Sequence, residues 1–88
     1  MVSKSVKIKF EQGLHMRPAG VLASAMMTYD CDVTIVFNGR RINAKSVMNI
    51  IAGCIKYGSE ITIECSGSDE QAALDRAIEL IEAGLGDL

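Results

Sequence analysis

The stretch Asp32–Gly53, DVTIVFNGRRINAKSVMNIIAG, holds a strand, a tight turn, a second strand and a helix start in immediate succession. In DVTIVF, Val33, Ile35 and Phe37 fall on one face, the period-two pattern of a half-buried strand. Asn38-Gly39 follows. Both residues tolerate positive φ, which a two-residue hairpin turn demands. RRINA is then the returning strand, short and basic, which suits an exposed sheet edge. At Ser46 the pattern changes. A serine here predicts an N-cap, its hydroxyl accepting a backbone N–H at the helix start. SVMNIIAG predicts a helix of about two turns, ended by Gly53 or Gly58. Val47, Met48, Ile50 and Ile51 nearly surround it, yet a helix on a sheet needs only one apolar face. Met48 and Ile51 share a face, and methionine adapts to several partner shapes. Core is the default place for such residues. An exposed patch of them reads instead as a protein docking site.

The flanks complete the pattern. Upstream, KSVKIKF alternates, with Val6, Ile8 and Phe10 on one side and Lys7 and Lys9 on the other. EQG ends that strand. Pro18, Val21, Leu22, Ala25 and Met26 then follow a helical stripe. Proline suits a first helical turn, where its missing N–H has no intrahelical partner anyway. His15 or a neighbour becomes the cap, and TYDCD breaks the helix. Downstream, EITIEC alternates with Ile61, Ile63 and Cys65 inward. SGSDEQ predicts a turn and a capping box between Ser68 and Gln71, with Asp69 and Glu70 favoured by the helix dipole. Leu74, Ala77, Ile78, Ile81 and Leu85 form the last apolar stripe, and Gly84 is its expected stop. The order is βαββαβα. Since every strand has one apolar face, a four-stranded sheet covered by helices on one side and wet on the other is expected.

The totals narrow the class. Eighty-eight residues predict one domain, spanning 1–88, with little room for a deep enzyme cleft. Hydrophobic residues at 49% and charged residues at 23% are those of a globular chain. The apolar runs are too short to cross a membrane, and no charged region followed by an apolar one opens the chain as a signal peptide would. Cys31, Cys54 and Cys65 are odd in number and lack C-x-x-C spacing. That pattern disfavours a disulfide framework or zinc site and predicts small, mostly buried thiols in a reducing cytoplasm. Charge is uneven. Residues 1–58 carry eight bases against three acids, net +5, and residues 59–88 one base against eight acids, net −7. The halves are set to attract each other or to present a basic face to an acidic partner. The overall −2 is not that of a nucleic-acid binder.

The candidate chemistry lies in Gly13–Gly20, GLHMRPAG, which holds the only histidine and the only proline. A neutral imidazole nitrogen is a nucleophile. At a helix N-terminus it sits beside unpaired N–H groups and a partial positive charge, which suit a phosphoryl group on the ring. Arg17 would add charge-assisted hydrogen bonds to phosphate oxygens. The bland alternative is a capping histidine beside a solvated arginine. Ser46 is likewise a plain N-cap or a phosphorylation site, since a helix start tolerates an anion and Lys45 is adjacent.

Together these residues resemble a known family. GLHMRPAG is similar to the phosphohistidine signature of HPr, the histidine-containing phosphocarrier family of the bacterial phosphotransferase system, and AKSVMNI to its second signature around a regulatory serine. The resemblance spans essentially the whole chain. It implies an α+β open-faced β-sandwich with an antiparallel sheet in the order 1-4-2-3 and three helices on one face. It implies that enzyme I passes a phosphoryl group to Nδ1 of His15, which hands it to IIA domains of sugar permeases. Arg17 stabilises the phosphate, with the backbone of Met16 and Arg17 contacting it. Ser46 matches the position modified by HPr kinase/phosphorylase in low-GC Gram-positive bacteria, where the seryl-phosphorylated form binds a catabolite-control transcription factor. Gly20, Val47, Met48 and Ile51 match the docking surface. The implied protein is a cytoplasmic monomer without a cofactor or metal, not an enzyme, with no direct nucleic-acid partner and no membrane insertion.

The chain departs from the family at three positions. Met16 stands where a small residue or threonine is usual, and Gly53-Cys54 where Leu-Gly is usual. A Cys54 near Arg17 could be redox-sensitive, though a packing thiol is the ordinary reading. Other readings are an HPr paralogue acting mainly in regulation, a small acylphosphatase-type enzyme, and a plain α/β interaction module. The enzyme would need a phosphate-cradling loop after the first strand, and the chain has no Gly-rich loop there.

Overall fold

The computed structural model describes residues 1–86. Seven elements follow in order: β1 (Val2–Lys7), α1 (Met16–Met26), β2 (Asp32–Phe37), β3 (Arg40–Asn43), α2 (Val47–Ala52), β4 (Glu60–Ser66) and α3 (Glu70–Glu82). The sheet runs β1-β4-β2-β3, and every neighbouring pair is antiparallel. This is the open-faced sandwich that the resemblance implied.

The register shows why one face is wet. Ile61, Ile63 and Cys65 of β4 lie opposite Val33 and Ile35 of β2 or Val6 of β1, and all of these are buried. The alternate positions pair polar side chains. Ser5 bonds Thr62 through the hydroxyls at 3.1 Å, and Arg41 reaches Glu64 at 2.7 Å. Ile8 and Phe10 lie beyond β1 yet are fully buried. Ile8 continues the pairing, donating to the carbonyl of Ser59 and accepting from Gly58, both at 2.8 Å. No polar or charged residue is buried among the described residues. A side-chain ion pair joins the +5 and −7 halves, Arg41–Glu64 at 2.7 Å, and the Met1 amine lies 3.3 Å from Glu70.

The helices bear out some expectations and correct others. α1 begins at Met16 after the His15 cap, with Pro18 in its first turn as expected. Its buried face is Ala19, Leu22, Ala23 and Met26, spaced i, i+3, i+4, i+7. Val21, expected in that stripe, is 36% exposed. At α3 the cap is Asp69, not Ser68, and no Ser68–Gln71 box forms. Glu70 Oε1 accepts from the N–H of Gly67 at 3.1 Å, while the Gln71 amide turns to Asp75. The Asp69 carboxylate instead accepts the amides of Asp30 at 2.8 Å and Cys31 at 2.9 Å, fastening α3 to the turn after α1. Those bonds, with Asp30 first, hold the Asp69 carboxyl below its ordinary value, and the Gly67 amide does the same for Glu70. The stop at Gly84 is as expected. Gly84 (φ +93°) donates to Ile81 and Leu85 to Leu80, both at 3.0 Å, closing a Schellman motif over buried Leu85.

Cys31 and Cys65 are buried thiols, as expected. Burial pushes both up, Cys65 to about 12. Cys54 is not a packing thiol: it is exposed. Among the described residues no helix is long and apolar enough to cross a membrane, and no acid, histidine and cysteine cluster suits a metal.

Candidate functional site

His15 is the N-cap of α1, with extended φ/ψ of −81° and −168°. Its carbonyl accepts the first helical bond, from Ala19 at 3.0 Å, but its ring makes no side-chain bond to the first turn. The ring is half-buried, and its Nε2 atom is shielded from solvent. The loop before it is held by backbone. Gly13 donates to Phe10 and Leu14 donates to Ile55, both at 2.9 Å, and His15 donates to Gly13 at 3.0 Å. Gly13 has φ +68°, and a Cβ there would fall 2.3 Å from the carbonyl oxygen of Ile55. No other residue fits this position without moving the chain. Leu14 is buried beneath the loop, while Met16 (64% exposed) and Arg17 lie outside. Because Pro18 has no N–H, the amides of Met16 and Arg17 are the first-turn donors next to the imidazole.

Ser46 caps α2 as expected: its Oγ accepts the amide of Asn49 at 3.2 Å. The turn before it is set by Asn43, whose Oδ1 accepts the amide of Lys45 at 3.0 Å. Lys45 does not reach toward Ser46. Its ammonium donates to the carbonyl of Tyr29 at 2.7 Å. Ile50 points into the core, Val47 and Ile51 are half-buried, and Met48 is 70% exposed. α2 therefore has an apolar residue on both its buried and its open side. α1, with half-buried Gly20 and exposed Val21, packs against α2, so the apolar residues of both helices belong to one layer.

At the Gly53-Cys54 departure, a Cβ on Gly53 would lie 2.6 Å from Cδ1 of Ile42, so a side chain there would require the end of the Ile42 side chain to shift. Cys54 takes the left-handed position after the helix, at φ +54°, where glycine is the default. Arg40 donates from Nη2 to the carbonyl of Gly53 at 2.7 Å.

The structure thus places His15 with the amides of Met16 and Arg17 at one helix start, and Ser46 at another. Sequence reasoning missed Gly13, Ile55 and Arg40. Gly13 had a signal, being a glycine between a strand and a helix. The partners of Ile55 and Arg40 are distant in sequence and left none.

These features define a small open-faced α+β domain that offers one histidine at a helix N-terminus. Residues 2–83 match the family model described as the PTS HPr component phosphorylation site. The chain is 40% identical over 87 residues to the phosphocarrier protein HPr of Mycoplasma capricolum, covering 99% of this chain and 93% of that one. It is 37% identical to the HPr-like protein Crh of Halalkalibacterium halodurans, covering 93% and 98%. Among solved structures, HPr-C-His of Thermoanaerobacter tengcongensis superposes with a TM-score of 0.95 at 27% identity, covering 100% and 99%. The chain belongs to the HPr family.

Proposed function

We propose that this protein is a cytoplasmic phosphocarrier of the phosphotransferase system, with His15 as the carrier residue. Nδ1 of His15 attacks the phosphorus held by enzyme I. The bond to the donor breaks as the bond to Nδ1 forms, and the reverse exchange delivers the group to IIA domains of sugar permeases. The chain turns over phosphate without acting as an enzyme on a small molecule. One observation carries the reading: His15 is the N-cap of α1 on a loop fixed by Gly13 and Leu14, with its Nε2 shielded. The transfer nitrogen in this reading is Nδ1, the one that the family resemblance implies. The Met16 and Arg17 amides and the Arg17 guanidinium hold the phosphate oxygens. A shallow helix-end site holds phosphate without burying it, which keeps its transfer potential high.

Gly20, Val47, Met48 and Ile51 form the docking surface, and the basic first half steers toward acidic partners. Ser46 is the regulatory site for HPr kinase/phosphorylase, and its phosphorylated form is recognised by a catabolite-control transcription factor. Its added negative charge beside the docking face weakens that steering. Similarity to Crh proteins favours a second reading, a paralogue acting mainly in regulation. Possession of both His15 and Ser46 supports the full carrier.

Incubation with phosphoenolpyruvate and enzyme I tests the assignment. An acid-labile, base-stable phosphate is expected on the wild type and absent from His15→Ala. No label on the wild type, or equal label on the variant, defeats it. Release of free phosphate from an acyl phosphate would point to the enzyme instead.

A further inference from the structure

The His15 loop is bonded to the carbonyl of Ile55 after α2, and the peptide two residues earlier is held by a hairpin arginine through the Gly53 carbonyl. The chain of contacts is continuous. Arg40, the first residue of β3, donates to the carbonyl of Gly53 at 2.7 Å in a part-buried bond. Gly53 is the C-cap of α2, where the helix dipole leaves partial negative charge on its carbonyls, so a guanidinium is favoured there. Ile42, two residues along the same strand, brings its Cδ1 within 2.6 Å of where a Gly53 Cβ would stand, so its side chain packs on this glycine. β3 thus grips this peptide by a charged hydrogen bond and by apolar contact. Cys54 follows in a left-handed conformation that a non-glycine residue resists. The next residue, Ile55, is buried, and its carbonyl accepts the amide of Leu14 while seated against Gly13. His15 comes immediately after.

We infer that Arg40 is a positioning residue for His15. By clamping the Gly53 carbonyl it keeps the 53–54 peptide turned so that Ile55 meets the loop. This rests on the carrier reading for its consequence in transfer, but not for its structural part. Arg40 touches neither the imidazole nor the phosphate, and it acts only through the turn at Cys54.

The test uses the full chain with Arg40→Met, which keeps the aliphatic stem and loses the donor, and Arg40→Lys, which keeps a charged donor. Transfer from phospho-enzyme I should fall about tenfold in Arg40→Met, the scale of one lost charged hydrogen bond. Arg40→Lys should restore part of it. Arg40 is also a charge that steers partners, and salt separates the two roles. A positioning defect persists at about 0.5 M salt, where steering is screened to a few Å. The second readout is amide exchange. The Leu14 amide should exchange about tenfold faster in Arg40→Met, while the Ile63 amide at the sheet centre keeps its rate. A uniform rise at both amides would mean a merely structural role and overturn the inference. So would unchanged Leu14 exchange, or a transfer defect that vanishes in salt. Because exchange needs no phosphoryl donor, a chain that never accepts phosphate would defeat the carrier reading while leaving this measurement to decide the clamp.

Discussion

Two helices of this protein begin on a residue proposed to carry phosphate, and they begin differently. At α2, Ser46 gives its own hydroxyl oxygen to the helix, bonding the Asn49 amide. At α1, His15 gives no side-chain bond to the first turn, and the chain before it is fixed by backbone bonds from Gly13 and Leu14. The difference is that one helix start is closed by its own side chain and the other is supported by the backbone before it. The proposed modification at Ser46 would replace an existing cap, and at His15 it would add to a site braced by the Gly13 and Leu14 bonds.

The largest test of this contrast removes the imidazole. His15→Ala should abolish acid-labile labelling yet leave the urea midpoint within the range of an ordinary surface change, about 0.5 kcal/mol. A large loss of stability would show that His15 is a structural cap after all. Next comes the support itself. Gly13→Ala combines positive φ with a clash against the Ile55 carbonyl and should cost about 3 kcal/mol, with a matching loss of transfer. Normal transfer in a stable Gly13→Ala protein would remove the loop from the account.

At the other start, Ser46→Ala should cost about 1 kcal/mol in denaturant unfolding while still accepting phosphate at His15. Phosphorylated Ser46 should slow transfer at low salt and recover at high salt. Equal slowing at every salt concentration would defeat the steering explanation. Of similar size but opposite sign, Cys54→Gly should stabilise by about 1 kcal/mol, since only the residue at the left-handed turn changes.

A third cap sharpens the comparison most gently. Asp69 caps α3 but turns its carboxylate to Asp30 and Cys31. Its folded pKa is lowered from 3.8, so its stabilisation is complete above that value and is lost as pH falls through the lower folded one. The melting temperature of the wild type should therefore drop more steeply than that of Asp69→Asn below about pH 4.

Much of this was legible from period and capping. Val6 and Ile8, the Asn38-Gly39 turn, Ser46 and the stripe of α3 each announce their element with neighbours close in sequence. The strand order was not readable from those signals and came with the resemblance. What stayed hidden was decided by distant partners. Asp69 was drawn away from its own helix by the amides of residues 30 and 31, so the box at Ser68 never formed. Val21 looked apolar enough for the core, but burial went to Ala19 and Ala23, which let α1 lie close. Cys54 read as packing because thiols are usually buried, whereas the end of α2 needed a left-handed residue outside the core. In the site, His15, Arg17 and Ser46 stood out by type and spacing. Ile55 and Arg40 could not, because a backbone carbonyl and one more surface arginine have no sequence signature.

The first strand has a consequence for how a cell makes this protein. β1 pairs with β4 alone, and Val2 waits for Cys65. At ribosomal speeds of 5–20 residues per second, the intervening stretch takes about 3–12 s to appear. During that time the nascent chain holds Val6, Ile8 and Phe10 with no sheet to enter. Closure of the sheet is then expected as one late event, after β4 has appeared. The Ile8–Gly58 and Leu14–Ile55 bonds form in the same closure. A chain that has not yet made Ile55 cannot seat the loop that leads to its histidine.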